Sequence, residues 1–245
     1  MIEFTQKKIG PLNCVIGRSQ TAAEKVSAIV ILLHGYGDSP NGFHPLCVPF
    51  VQAGGKLNDA IYVVPEAPLE WDPGQEGRAW WPLDMMAIQM STPEQRVQGL
   101  LNNKPQRLEQ NREAINTIIN QLTTAFELEA KNVLIGGFSQ GAMLSTDVAL
   151  NFPETLGGLV IWSGSLLNES EWAQAASQRE PLTIVQAHGR SDDVLPFKGA
   201  VLLRDMLKQN NHDIEFIEFP ENHTIPESAL VPAIELGTRI ANREA

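Results

Sequence analysis

The stretch Gly137-Phe138-Ser139-Gln140-Gly141 sets a serine between two glycines, each two residues away, a spacing that could support covalent chemistry. Val133-Leu134-Ile135-Gly136 before it reads as a strand, and Ala142-Met143-Leu144 after it as the start of a helix. A turn this tight brings strand and helix backbones together, leaves no room for Cβ atoms at 137 and 141, and pushes the serine hydroxyl outward. Such a hydroxyl can attack an acyl carbonyl if a base removes its proton and a carboxylate orients the base. The bland alternative is a serine that caps an ordinary helix.

On an open parallel sheet the three groups follow the chain order serine, acid, histidine. Of five histidines, His212 and His223 lie beyond both Ser139 and the aspartates at 192 and 193. His212 precedes a strand and is expected at the far edge of the sheet. His223 follows that strand through Phe219-Pro220-Glu221-Asn222 and reaches the serine's edge, so it is the expected base. The acid should follow the strand at 182–187, within His188-Gly189-Arg190-Ser191-Asp192-Asp193-Val194-Leu195-Pro196. Chain order does not separate Asp192 from Asp193.

An acyl-transfer oxyanion needs two backbone N–H groups already aimed at it. Gln140, directly after the serine, is expected to supply one and Tyr36, in His34-Gly35-Tyr36-Gly37, the other, with the two glycines giving that loop its freedom. A plain strand-to-helix turn capped by Asp38 or Ser39 is the competing reading. His34 is read as a hydrogen-bonding member of the loop rather than a proton carrier.

The surrounding elements must place these loops on one edge. Residues 27–33 read as a strand whose Ala28 to Leu33 run is continuously apolar, as expected of a central parallel strand covered on both faces. Further apolar strands are expected at 60–64, 158–162, 182–187 and 214–219, and a hairpin at 2–9 and 12–18. Leu108, Ile115, Ile118, Ile119, Leu122 and Phe126 recur at three- and four-residue intervals, predicting an amphipathic helix over 106–126. Other helices are expected at 41–53, 93–101, 197–210 and 226–241, with the helix after Ser139 closing near Asn151-Phe152-Pro153. Strands alternating with helices predict an α/β fold whose sites gather at the carboxyl ends of the strands.

The 245 residues carry no Pro/Gly/Ser linker and are expected to form a single domain over 1–245. A formal charge of −11 argues against nucleic acid or an anionic membrane as partner. No apolar run approaches a membrane span, and residues 1–10 carry Glu3, Lys7 and Lys8 where a signal peptide needs an apolar core. Cys14 and Cys47 form neither a metal cluster nor a disulfide framework. A cytoplasmic protein is the expectation.

Together these residues carry a resemblance. Leu32-Leu33-His34-Gly35-Tyr36-Gly37-Asp38, Gly137-Phe138-Ser139-Gln140-Gly141-Ala142, His188-Gly189 through Asp192 to Pro196, and His223 resemble the phospholipase/carboxylesterase family of α/β-hydrolases, which includes the acyl-protein thioesterases. The likeness runs over about 26–240. It implies an α/β-hydrolase fold and a triad of Ser139, Asp192 and His223, the acid settled by its place four residues before Pro196. It also implies Tyr36 and Gln140 as oxyanion donors and no metal or organic cofactor. Arg190 stands where the family often has an acid, and the segment 66–105 is longer than usual there.

The expected activity is hydrolysis of carboxylic esters, thioesters being within reach of the same chemistry, on a small-molecule or acylated substrate. An amidase or peptidase on the same triad, or a binding protein that kept the fold, are the alternatives. The insertion at 66–105 gathers Trp71, Trp80, Trp81, Met85, Met86 and Met90 among prolines, glycines and charges. Trp80, Trp81 and Met85 are therefore expected to line a substrate pocket.

Overall fold

The computed structural model describes residues 1–72 and 74–243. Strands β1 (Ile2–Ile9) and β2 (Leu12–Ser19) form an antiparallel hairpin that pairs Ile2 with Ser19 and Ile9 with Leu12. After β3 (Ile29–Leu33), the helix expected over 41–53 arrives in pieces: α1 (Pro40–Phe43), a 3-10 turn at His44–Leu46, and α2 (Cys47–Gln52). Pro45 and Pro49 have no N–H to donate, so one uninterrupted ladder of helical hydrogen bonds is not available there.

Strand β4 (Ile61–Pro65) leads into the segment 66–105, expected above to be an insertion. Its irregular sequence proves more ordered than the weak periodicity suggested. A short antiparallel ribbon of β5 (Leu69–Glu70) and β6 (Arg78–Ala79) is followed by α3 (Met85–Met90) and α4 (Pro93–Asn102). Both helices are opened by side chains: Asp84 accepts from Ala87 N–H, and Thr92 and Gln95 form a reciprocal capping box.

The remainder alternates: α5 (Leu108–Phe126), β7 (Val133–Phe138), α6 (Gln140–Asn151), β8 (Gly158–Trp162), α7 (Glu169–Ser177), β9 (Thr183–Gly189), α8 (Phe197–Gln209), β10 (Asp213–Phe219) and α9 (Glu227–Ala241). Helix α7 was not anticipated, because it buries only Trp172 and Ala176 and so leaves almost no periodic signal.

The main sheet runs β1-β2-β4-β3-β7-β8-β9-β10. It is parallel from β4 to β10, with the hairpin antiparallel at one side. The continuous apolar strands resolve into two faces. Ile29, Ile31, Leu33, Val133 and Ile135 face a core shared with Ile115, Ile118 and Ile119 of α5 and Leu144 of α6. Val30, Leu32 and Leu134 face the other, shared with Phe50 of α2 and Ala233, Leu236 and Ile240 of α9. Each such aliphatic side chain contributes about 1.5–3 kcal/mol when fully buried, so both layers resist sliding and the strand ends stay in register.

Those ends define an edge. Leu33, Phe138, Gly189 and Phe219 close parallel strands there, and each leads directly into a loop carrying one of the expected site residues. Cys14 and Cys47 are free and buried, and burial pushes the Cys14 thiol up to about 12. No helix among the described residues is long and apolar enough to cross a membrane.

Candidate active site

Ser139 sits in a strained elbow. Its φ of 55° and ψ of −117° lie where a non-glycine residue is rarely found, and its side chain makes no capping hydrogen bond to α6. The backbone holds it there, through Ser139 N–H to Trp162 O at 3.0 Å and Met143 N–H to Ser139 O at 3.1 Å. The flanking glycines allow the approach: a Cβ on Gly141 would lie 2.1 Å from Leu33 O, and one on Gly137 2.5 Å from the Gly141 carbonyl carbon. The strain is thus maintained by packing that no other residue type at 137 or 141 would permit.

The loop after β3 comes to the same place. Gly37 has φ of 79°, whereas at Gly35 the approach is close, since a Cβ there would lie 3.2 Å from the Phe138 ring. His34 is fully buried and shares its two ring nitrogens locally, Nδ1 with Gly35 O at 2.8 Å and Nε2 with Ala67 N–H at 3.2 Å. Burial pushes its pKa down, so the ring is a neutral structural link. The insertion clamps this loop, because Arg78 of β6 accepts from Gly37 N–H at 2.9 Å and donates to Asp38 O at 2.8 Å. Among the described residues neither Tyr36 N–H nor Gln140 N–H donates to a protein acceptor, and both residues line the same cavity as Ser139. Gln140 opens α6, where the first N–H groups have no intrahelical partner.

On the opposite side, Asp192 and His223 meet through Asp192 Oδ2 and His223 Nδ1 at 2.7 Å. Asp192 Oδ1 accepts from the Val194 and Leu195 N–H groups at 2.9 and 2.8 Å. Burial alone would raise the Asp192 carboxyl, but hydrogen bonds from His188 and His223 outweigh it and hold it well below the usual carboxylate range. Asp193 is exposed and does not line the cavity; its N–H donates to Asn222 Oδ1 at 3.0 Å, and His223 N–H to the same oxygen at 2.9 Å. Asn222, not singled out from the sequence, therefore ties the acid loop to the histidine loop. The His223 ring lies against Phe138 with centroids 4.6 Å apart. His223 and Ser139 line one cavity without a direct hydrogen bond between them, a looseness common before substrate binds. His212 lies before β10, buried, with Nδ1 accepting from Leu182 N–H at 3.0 Å, away from this edge.

The cavity measures about 630 Å³ and is walled by the insertion. Trp81, Leu83, Met85, Ile88, Leu100 and Met143 supply apolar surface, with Ser139, Gln140, Tyr36 and His223 at the reacting end. Trp80 departs from expectation. It is fully buried in the core beneath, its Nε1–H donating to His34 O at 3.0 Å, and it does not line the cavity. Met86 and Met90 are exposed on the outer side of α3, also off the cavity wall.

What sequence reasoning missed is the clamp on this wall. Gln140 Oε1 accepts from Trp80 N–H at 2.8 Å, Gln140 Nε2 donates to Trp81 O at 2.9 Å, and Asn111 Nδ2 donates to Trp80 O at 2.5 Å. Arg96 of α4 donates to the carbonyls of Asp193 and Val194. The insertion is thus fastened to the elbow at one end and to the acid loop at the other.

An open, mainly parallel sheet with helices on both faces and a strained serine elbow at its carboxyl edge defines an α/β-hydrolase. The chain belongs to the phospholipase/carboxylesterase family, whose model matches residues 17–235. It is 26% identical to acyl-protein thioesterase 1 of Neurospora crassa over 81% of this chain and 80% of that protein. It is likewise 26% identical to carboxylesterase SOBER1 of Arabidopsis thaliana, over 78% of this chain and 80% of the relative. The crystal structure of esterase PE8 shares the fold with a TM-score of 0.76 at 23% identity, covering 95% of this chain and 98% of that one.

Proposed function

We propose that this chain hydrolyses carboxylic esters, thioesters included, through an acyl-serine intermediate on Ser139. The observation that carries the reading is the Asp192–His223 hydrogen bond of 2.7 Å delivered to a cavity whose floor is a serine at φ 55°. With Nδ1–H committed to Asp192, the lone pair of His223 is on Nε2, the ring nitrogen left to take the Ser139 proton. Ser139 Oγ then bonds to the acyl carbon, and the Tyr36 and Gln140 N–H groups hold the oxyanion. Each such donor is worth roughly 3 kcal/mol in comparable sites. Collapse breaks the C–O or C–S bond, and His223 returns its proton to the leaving group. Water repeats the sequence, giving up a proton to His223 and releasing the acid.

The substrate is read as a small or protein-borne acyl ester, in keeping with relatives named acyl-protein thioesterase and carboxylesterase. The whole chain is read as one domain in which the insertion walls the acyl cavity. A cytoplasmic setting without nucleic-acid partners fits the charge of −11 and two free, buried thiols.

The test is a rate profile across p-nitrophenyl esters of increasing chain length, beside the matching anilides. Each buried methylene contributes about 0.8 kcal/mol, so kcat/KM should climb several-fold per carbon until the cavity is full. Anilide turnover comparable to ester turnover would instead assign an amidase. In the same assay Trp81→Ala should flatten the profile while changing acetyl ester rates less than tenfold. Trp80→Ala should act through the fold, costing about 3–5 kcal/mol of stability as a core truncation. If Trp81→Ala keeps the wild-type profile, the acyl chain lies elsewhere.

A further inference from the structure

His188, the penultimate residue of β9, contacts the carboxylate of Asp192. It is fully buried, with Nε2 2.8 Å from Leu195 O and 3.2 Å from Asp192 Oδ2. A carbonyl oxygen can only accept, so the Nε2 proton is present and is shared between the two oxygens. The other nitrogen, Nδ1, has no protein partner among the described residues. Leaving a buried polar atom unpaired costs stability, and an aliphatic side chain here would avoid that cost. What an aliphatic residue could not supply is the N–H aimed at Asp192.

Asp192 Oδ1 is already fixed by two backbone N–H groups, whereas Oδ2 is the atom that must hold His223 while its ring first takes and then returns a proton. The titratable groups packed against that carboxylate are His188 from β9 and His223 from the loop beyond β10. We propose that His188 is a positioning residue of the triad, its Nε2–H pinning Asp192 Oδ2 so that His223 keeps its orientation through both proton transfers. The proposal rests on the reading of Ser139, Asp192 and His223 given above.

The test compares His188→Gln, whose amide nitrogen reaches the place of Nε2, with His188→Leu and His188→Asn, which remove the donor or leave it short of Asp192. Activity is counted per site titrated with a fluorophosphonate, so that misfolded protein does not enter. The Leu and Asn variants should lose on the order of tenfold in kcat, the scale of one hydrogen bond to a charged group, with KM within about twofold. The Gln variant should recover to within about threefold of wild type, and His188→Asn placed on Asp192→Asn should cost nothing further, because its effect runs through a carboxylate already gone. The Asn variant carries the comparison should the Leu variant fail to fold. Equal kcat in the Gln and Asn variants, or a tenfold loss that persists on Asp192→Asn, would overturn the role of His188. Wild-type kcat in Asp192→Asn itself would instead sink the triad reading.

Discussion

Replacing Ser139 by alanine is expected to lower kcat on p-nitrophenyl esters by on the order of 10⁶, the loss seen when a triad nucleophile is removed. The protein should remain folded. Ser139 is held at φ 55° by neighbours of the elbow rather than by its own hydroxyl, which makes no capping bond, and alanine keeps the Cβ that the site already accommodates. Thermal melting near the wild-type temperature together with lost turnover is the outcome to look for. Residual turnover within tenfold of wild type would mean that the nucleophile is another residue.

Asp192→Asn should be the next most damaging change, lowering kcat by about 10⁴, because an amide permits the wrong imidazole tautomer and gives no charge to the imidazolium. Asp193→Asn should shift stability by no more than about 0.5 kcal/mol and leave turnover near wild type, since that side chain is exposed. Comparable losses in the two variants would show the acid to be misassigned. Asp192 also predicts a pH effect on stability. Its folded pKa lies below the unfolded value of ~3.9, so its contribution is fully present above that pH and is lost as pH falls toward the folded value. The stability of Asp192→Asn should therefore fall less steeply than wild type across that acid range, as urea midpoints would reveal.

The parts legible from sequence are those whose cause is local. The elbow could be read because close backbone approach demands glycine at 137 and 141 whatever lies further off, and the central strands because burial on both faces leaves a continuous apolar run. The broken helix over 41–53 has its cause in plain view, in Pro45 and Pro49, neither of which has an N–H for a helical ladder. Trp80 and Trp81 show a different limit. They are adjacent, in a segment with no regular period, and nothing local says which one turns toward the core. The clamps were illegible for a third reason: Gln140 meets its partners 60 and 59 residues away, and Arg96 reaches carbonyls 97 and 98 residues on, pairings set only by the finished fold. His188 belongs with them, since its motif position is visible but its contact with Asp192 depends on the loop that follows β9.

The central claim is that Ser139 carries the acyl group, and the most direct measurement is where a covalent probe lands. The purified protein would be incubated with a slowly released p-nitrophenyl ester and, separately, with a fluorophosphonate, then digested and read by tandem mass spectrometry. One adduct per chain on the peptide containing Ser139, from both reagents and absent in Ser139→Ala, is the expected result. Ester turnover with Ser139 unmodified by either reagent, or an adduct on a different side chain, would contradict it.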